Sequence, residues 1–304
     1  MNMDYPQHVT IIEVGPRDGL QNESAFVSSK HKIELINALS LTGLEHIEVT
    51  SFVSAKTIPQ LADNEEVFQA INKQPSVHYS ALIPNEQGMR KALEVGVKEI
   101  AVFTAASESF NQRNINCSIE ESLVRFKPVM ALAKAQNIKV RGYISCVLGC
   151  PYEGNIPPEQ VAEVTKKLLD LGVDEISLGD TIGVGTPRQT QLVLDQVLKL
   201  LPLNQLAMHF HDTYGQAIAN IYASLHYGVH RFDSSVAGLG GCPYALGATG
   251  NVATEDVLYL MHGLGIDTGV DVFKIVAIGD LICKILGRKN QSKVANALLA
   301  NPCN

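Results

Sequence analysis

One local pattern recurs along this chain: a helical stretch, a glycine, then a short β-branched run. It is read in LTGLEHIEVT, LEVGVKEIAVF, LLDLGVDEISLG and LHYGVHRFDSS, with the glycines at 43, 96, 172 and 228. Glycine past a last helical turn takes up the left-handed backbone that stops a helix. Strands are expected near Val9–Val14, His46–Thr50, Val77–Leu82, Glu99–Thr104, Val140–Cys146, Asp174–Leu178, Leu206–Phe210 and Arg231–Ser235. Helical patterns fall between them at Ser28–Leu41, Gln87–Val95, Ile119–Ala135, Pro158–Leu171, Thr186–Leu200 and Tyr214–His226. Strands that alternate with helices point to an all-parallel sheet. Eight such units predict an α/β fold, a (β/α)8 TIM barrel, in preference to an open doubly wound sheet. Additional C-terminal helices are expected at Val270–Leu286 and Ser292–Ala300, capping the barrel or making an oligomer contact. No linker or shift in composition interrupts the pattern, so residues 1–304 read as a single catalytic domain.

The 304 residues are 46% hydrophobic and 18% charged, and no apolar run is long enough to span a bilayer. The N-terminal residues carry neither a basic-apolar leader nor an Arg/Ser-rich transit sequence, which predicts a cytoplasmic protein. A net charge of −7 argues against nucleic acid as a general partner. The six cysteines are dispersed, with no Cys-x-x-Cys unit, and read as reduced thiols. Cys146 and Cys283 stand in apolar surroundings and are expected to be buried.

Barrels of this kind place their chemistry at the C-terminal ends of the strands. Polar residues gather there: Arg17 and Asp18 after strand one, Glu48 in strand two, Ser177 and Asp180 in strand six, His209 and His211 in strand seven, and Asp233 in strand eight. The two histidines are two apart, so on a strand both imidazoles face one side. With Asp18 and Asn251 as oxygen donors they make a candidate site for a divalent metal, Mg²⁺ or Mn²⁺. Zinc fits less well without a cysteine among the candidates. A hydrogen-bonded histidine pair and a helix-capping Asp180 are the plain alternatives. Glu48, flanked by Ile47 and Val49, needs a partner, because an unpaired carboxylate in an apolar strand is costly.

The segment Ser235–Asp256, SVAGLGGCPYALGATGNVATED, carries Cys242 among the glycines 238, 240, 241, 247 and 250. So much backbone freedom in one loop suggests a cover over the site with a thiol at its tip.

Six stretches together resemble the 3-hydroxy-3-methylglutaryl-CoA lyase family. They are GPRDGLQNE (Gly15–Glu23), NINCSIEES (Asn114–Ser122), RGYISCVLGCPYEG (Arg141–Gly154), EISLGDTIGVGTP (Glu175–Pro187), HFHDTYGQA (His209–Ala217) and the glycine loop. The resemblance runs from about Val9 to about Ala295. It implies a carbon–carbon lyase of leucine catabolism and ketone-body formation, cleaving its acyl-CoA substrate to acetyl-CoA and acetoacetate. It further implies Asp18, His209, His211 and Asn251 as metal ligands, with Arg17 binding the substrate and steadying the enolate. Asp180 or His209 would remove the hydroxyl proton, Cys242 would protonate the enolate, and Glu48 and Glu255 would orient these groups. Coenzyme A contacts could come from Lys56, Arg113 or Lys166. A homodimer that uses neither nucleic acid nor membrane, in a cytoplasm of bacterial type, completes the expectation. A condensing acyltransferase or aldolase of the wider superfamily, and a non-catalytic acyl-CoA binder, are the competing readings. The first has no evident need of Cys242, the second none of an intact Arg17, Asp18, His209 and His211.

Overall fold

The structure is a computed structural model that describes residues 5–241 and 249–300. Its strands are β1 (Thr10–Glu13), β2 (His46–Ser51), β3 (His78–Leu82), β4 (Glu99–Ala105), β5 (Lys139–Ser145), β6 (Glu175–Asp180), β7 (Leu206–Phe210) and β8 (Arg231–Ser234). They pair in sequence order and all in parallel, and β8 returns to β1 to close the barrel. The alternating pattern therefore forms the predicted (β/α)8 fold.

The helices are α1 (Ser29–Leu39), α2 (Asn64–Ala70), α3 (Glu86–Glu94), α4 (Glu108–Ile115), α5 (Ile119–Ala135), α6 (Pro158–Leu171), α7 (Pro187–Val197) and α8 (Ala217–Leu225). After β8 come α9 (Thr254–Gly263), α10 (Val272–Leu286) and α11 (Lys293–Ala300), the last two where C-terminal helices are expected. Local chemistry starts and stops these helices. Ser118 and Glu121 form a reciprocal capping box on α5, and Gly172 ends α6 at φ 97°. Among the described residues, no helix is long and apolar enough to cross a membrane.

Alternation along each strand sorts the side chains. Ile47 and Val49 join the large apolar layer between strands and helices, each such side chain contributing roughly 1.5–3 kcal/mol by burial. Glu48 and Thr50, on the opposite face, are buried inside the barrel. Apolar packing within the barrel is thin: Ile12, Val14 and Ala207 form one small cluster, and Leu82, Ala101 and Tyr143 another. Ion pairs take up interior space instead. Arg231 meets Glu175 at 2.5 Å, Glu175 meets Arg141 at 3.0 Å, and Arg141 meets Asp233 at 2.6 Å. Charges this deep are tolerated because each has a partner. At the N-terminal end of the barrel, His46 stacks on His78 at 4.8 Å. Burial, with the nearby Arg231, pushes His46 down to about 3, so it is neutral.

The structure departs from the sequence pattern in three places that bear on the site. β6 continues past Leu178 to Asp180, so Asp180 belongs to the sheet; the helix that follows is capped by Thr186. α8 begins at Ala217, where the Asp212 carboxylate accepts the backbone N–H at 3.0 Å, and not at Tyr214. Gly15–Gly19 forms a π-helical turn, with the N–H of Gly19 donating to the Val14 carbonyl. That wide turn carries Arg17 and Asp18 to the barrel mouth.

Candidate active site

Asp18, His209 and His211 converge. One ligand atom from each lies within 4.8 Å of the others. Nε2 of His209 is 3.9 Å, and Nε2 of His211 3.8 Å, from Oδ2 of Asp18. Asn251 completes the group: it faces His211 across an isolated antiparallel bridge, and its Nδ2 donates to Asp18 Oδ2 at 2.8 Å and to the Leu239 carbonyl at 3.2 Å. Two imidazoles, a carboxylate and an amide oxygen are a donor set that suits a divalent cation with positions left for substrate. Burial pushes the Asp18 carboxyl up, but Arg17 and the two imidazoles outweigh it and hold it well below the usual range. An ionised carboxylate is the form a cation needs.

Arg17 is clamped. Its Nε donates to Glu48 Oε2 at 2.5 Å and its Nη1 to Asp18 Oδ1 at 2.6 Å. Burial works against its charge, yet Glu48 and Asp18 more than compensate and raise its pKa. Glu48 itself is pushed up by burial in spite of Arg17. Tyr143 lies beside both Arg17 and Arg141, whose guanidinium carbons are 5.5 and 5.0 Å from its ring centroid.

Two expected roles meet a different geometry. Asp180 is buried, and its carboxylate accepts the N–H of Val184 at 3.2 Å and of Gly185 at 2.9 Å. Burial pushes it up to about 6, but its oxygens serve the turn after β6, and it is not among the residues lining the cavity. Glu255 does not touch the Asn251 side chain. Both its oxygens accept the N–H of Ala237 at 3.0 Å, and Ala237 holds a left-handed φ of 59°. Among the described residues it connects toward Asn251 through the Val236–Gly238 turn and the Leu239 carbonyl.

Sequence reasoning gave no role to Asp233, Ser177 or Arg141. Register brings His209 directly opposite Asp233 on the neighbouring strand, and His209 Nδ1 lies 3.2 Å from Asp233 Oδ2. The signal was present: Arg141 and Asp233 are charged residues within otherwise strand-forming runs, a pattern that calls for buried partners.

Cys242 lies outside the described residues. The two arms that lead to its segment are close-packed. A Cβ on Gly240 would stand 2.9 Å from Asn251 Nδ2, and one on Gly250 2.6 Å from the Gly240 carbonyl. Asn22 donates to the Gly241 carbonyl at 3.0 Å, and Glu23 pairs with Arg288. Among the other thiols, Cys146 and Cys283 are buried as expected.

A cavity of about 620 Å³ opens at the mouth, lined by Arg17, Asp18, His209 and His211 on its polar side and by Leu82, Phe103, Phe110 and Ile115 on its apolar side. Of the three cations considered for coenzyme A, Lys166 pairs with Asp170 on α6 at 2.5 Å, and Arg113 lies over the Tyr152 ring at 4.2 Å. Lys56 is exposed between Ser54 and Thr57, which line the cavity. Arg125, absent from the expectation, lines it too.

Fold and site together define a (β/α)8 barrel enzyme class with a two-histidine, one-carboxylate centre beside a paired arginine. The chain belongs to the HMGL-like family, whose model matches residues 8–282. It is 59% identical over 98% of its length, and 99% of the relative's, to the 3-hydroxy-3-isohexenylglutaryl-CoA/hydroxy-methylglutaryl-CoA lyase of Pseudomonas aeruginosa. The cytoplasmic 3-hydroxy-3-methylglutaryl-CoA lyase of Rattus norvegicus is 57% identical, covering 96% of this chain and 85% of that one. The crystal structure of hydroxymethylglutaryl-CoA lyase from Pseudomonas aeruginosa superposes with a TM-score of 0.95 over 97% of this chain and 99% of that one, at 59% identity. The relatives carry both cytoplasmic and mitochondrial names.

Proposed function

We propose that the protein cleaves 3-hydroxy-3-methylglutaryl-CoA to acetyl-CoA and acetoacetate, as its relatives are named to do. The observation that carries the reading is the Arg17 guanidinium, held between Glu48 and Asp18 at the wall of the same cavity that His209 and His211 line. The reaction takes a proton from a tertiary hydroxyl, breaks the adjacent C2–C3 bond and leaves an enolate that must then be protonated.

Asp18, His209, His211 and Asn251 would hold a divalent ion, Mg²⁺ or Mn²⁺, which supplies Lewis-acid polarisation of substrate oxygens when bound. Arg17 donates to the thioester oxygen as negative charge develops there. Its position is set in advance by Glu48, so little reorganisation is needed when that charge appears. His209 is the proton acceptor nearer the cavity. With His209 engaged in holding the ion, Asp180 would be the alternative acceptor, and its carboxylate would first have to leave the turn at Val184–Gly185. Cys242 delivers the proton to the enolate carbon. A homodimer in the cytoplasm is the corresponding cellular form. Tyr259, Phe273 and Leu281 on α9 and α10 are exposed apolar groups available for the contact.

The experiment is acetoacetate release from 3-hydroxy-3-methylglutaryl-CoA by purified protein, with Mg²⁺ or Mn²⁺ under reducing conditions and again with EDTA. Release that EDTA abolishes is the expected result; no release sinks the reading. A larger 3-substituent is a second substrate class, favoured by the apolar lining at Leu82, Phe103, Phe110 and Ile115. The 3-isohexenyl thioester should then be cleaved by the same preparation.

A further inference from the structure

We propose that Asp233 is a positioning residue that fixes the tautomer and ring orientation of His209, with Arg141 and Ser177 fixing Asp233 in turn. The inference rests on His209 being a site residue, and it adds the assembly that makes the histidine usable.

Four strands contribute. Asp233 on β8 offers Oδ2 to His209 Nδ1 on β7 at 3.2 Å. The same oxygen accepts Ser177 Oγ on β6 at 2.9 Å, while Oδ1 accepts Arg141 Nη2 on β5 at 2.6 Å. Asp233 is 1% exposed, so water offers no substitute for these contacts. Because an ionised carboxylate can only accept, its hydrogen bond to His209 requires the proton on Nδ1. The lone pair then sits on Nε2, the nitrogen that faces Asp18 at 3.9 Å. A donor in place of Asp233 would invert the tautomer and turn an N–H toward the cluster. His211 has no such arrangement; among the described residues its Nδ1 finds no hydrogen-bond partner. The two histidines are thus unequal, with one ring oriented by a buried carboxylate and the other by the backbone and Asp18.

The Arg231–Glu175–Arg141 ion pairs continue this assembly toward the other end of the barrel. They keep Arg141 charged and its guanidinium fixed, so Asp233 cannot swing away from the imidazole.

The test compares wild type with Asp233→Asn and Ser177→Ala. Binding of Mn²⁺ to the metal-free proteins is followed by the electron paramagnetic resonance of free Mn²⁺, and kcat and KM are measured separately. Asp233→Asn should weaken Mn²⁺ binding by about 10–100-fold and lower kcat, with KM for the thioester changed less than about 3-fold. Ser177→Ala keeps the ion pair with Arg141 and should show the same effects at smaller size, which covers an Asp233→Asn protein that does not fold. The ring nitrogen shifts of ¹⁵N-labelled wild-type protein, taken at a pH where the imidazole is neutral, should report the proton of His209 on Nδ1. A proton on Nε2, or Mn²⁺ binding and kcat within about 2-fold of wild type in both variants, overturns the proposal. Wild-type protein that binds no Mn²⁺ and releases no acetoacetate overturns the lyase reading instead, and the tautomer still decides the role of Asp233.

Discussion

Asn251 Nδ2 donates to Asp18 Oδ2 at 2.8 Å across 233 positions of sequence. With the nitrogen so engaged, the amide oxygen is the ligand atom Asn251 has left to offer. Asn251→Ala should therefore weaken Mn²⁺ binding by about 10-fold or more while leaving the barrel folded. Isothermal titration with Mn²⁺, beside a thermal melt of the metal-free protein, separates the two effects. Unchanged affinity would remove Asn251 from the ligand set.

Arg17 lines the cavity and is paired with buried Glu48 and half-buried Asp18. Arg17→Gln should lower kcat by about 10²–10³-fold, the usual result of losing one preorganised donor to a developing oxyanion. It also leaves Glu48 buried without its cation, so stability should fall by roughly 3–5 kcal/mol. Glu48→Gln should cost less activity, because Arg17 keeps Asp18. Steady-state kinetics and urea unfolding of both variants check this order.

Cys242→Ala is expected to reduce acetoacetate release by about 10²–10⁴-fold, the range for loss of a general acid. Mn²⁺ binding should stay at the wild-type level, since the proposed ligands Asp18, His209, His211 and Asn251 include no thiol. Full activity in this variant would exclude the thiol from the mechanism.

Two carboxyls hold the seam behind the site. Glu13 accepts from Gly15, Val236 and Thr254, and burial pushes it up to about 7; Glu255 is likewise pushed up to about 8. A carboxyl with a raised folded-state pKa binds its proton more tightly in the native protein. The stability it contributes is complete below its ordinary pKa and is lost as pH rises through the folded value. Native stability should therefore decline between about pH 5 and about pH 8 from these two groups. Glu255→Gln should flatten the upper part of that decline. Urea midpoints across this range, in wild type and variant, test the sign; a rise in stability over the same interval attributable to Glu255 would refute it.

The barrel was legible because helix stops and strand propensities are local. Gly43, Gly96, Gly172 and Gly228 all adopt the positive φ that their place in the pattern demands. The mouth residues were legible because strand ends collect there whatever the details. Pairings within the barrel were not. That Asp233 meets His209 depends on the β7–β8 register, and that Arg141 meets Asp233 depends on two strands that are not neighbours facing each other across the interior. Asp180 stands at the end of β6 as its sequence position suggests, but β6 is longer than its apolar run, and the turn that occupies the Asp180 carboxylate is not visible in the sequence.

Closure of the ring between β1 and β8 has a consequence for how the protein comes apart. Asp18 follows β1, while Asn251 lies beyond β8, so the candidate ligand cluster straddles the one pairing that joins the first strand to the last. An ion held there would act as a clasp on that seam. At a hundredfold excess over its dissociation constant, it would add about 2.7 kcal/mol against opening the ring. Strand separation at β1–β8 and loss of the ion then become a single event. The four side chains proposed to prepare the chemistry would then also decide when the barrel can unwind.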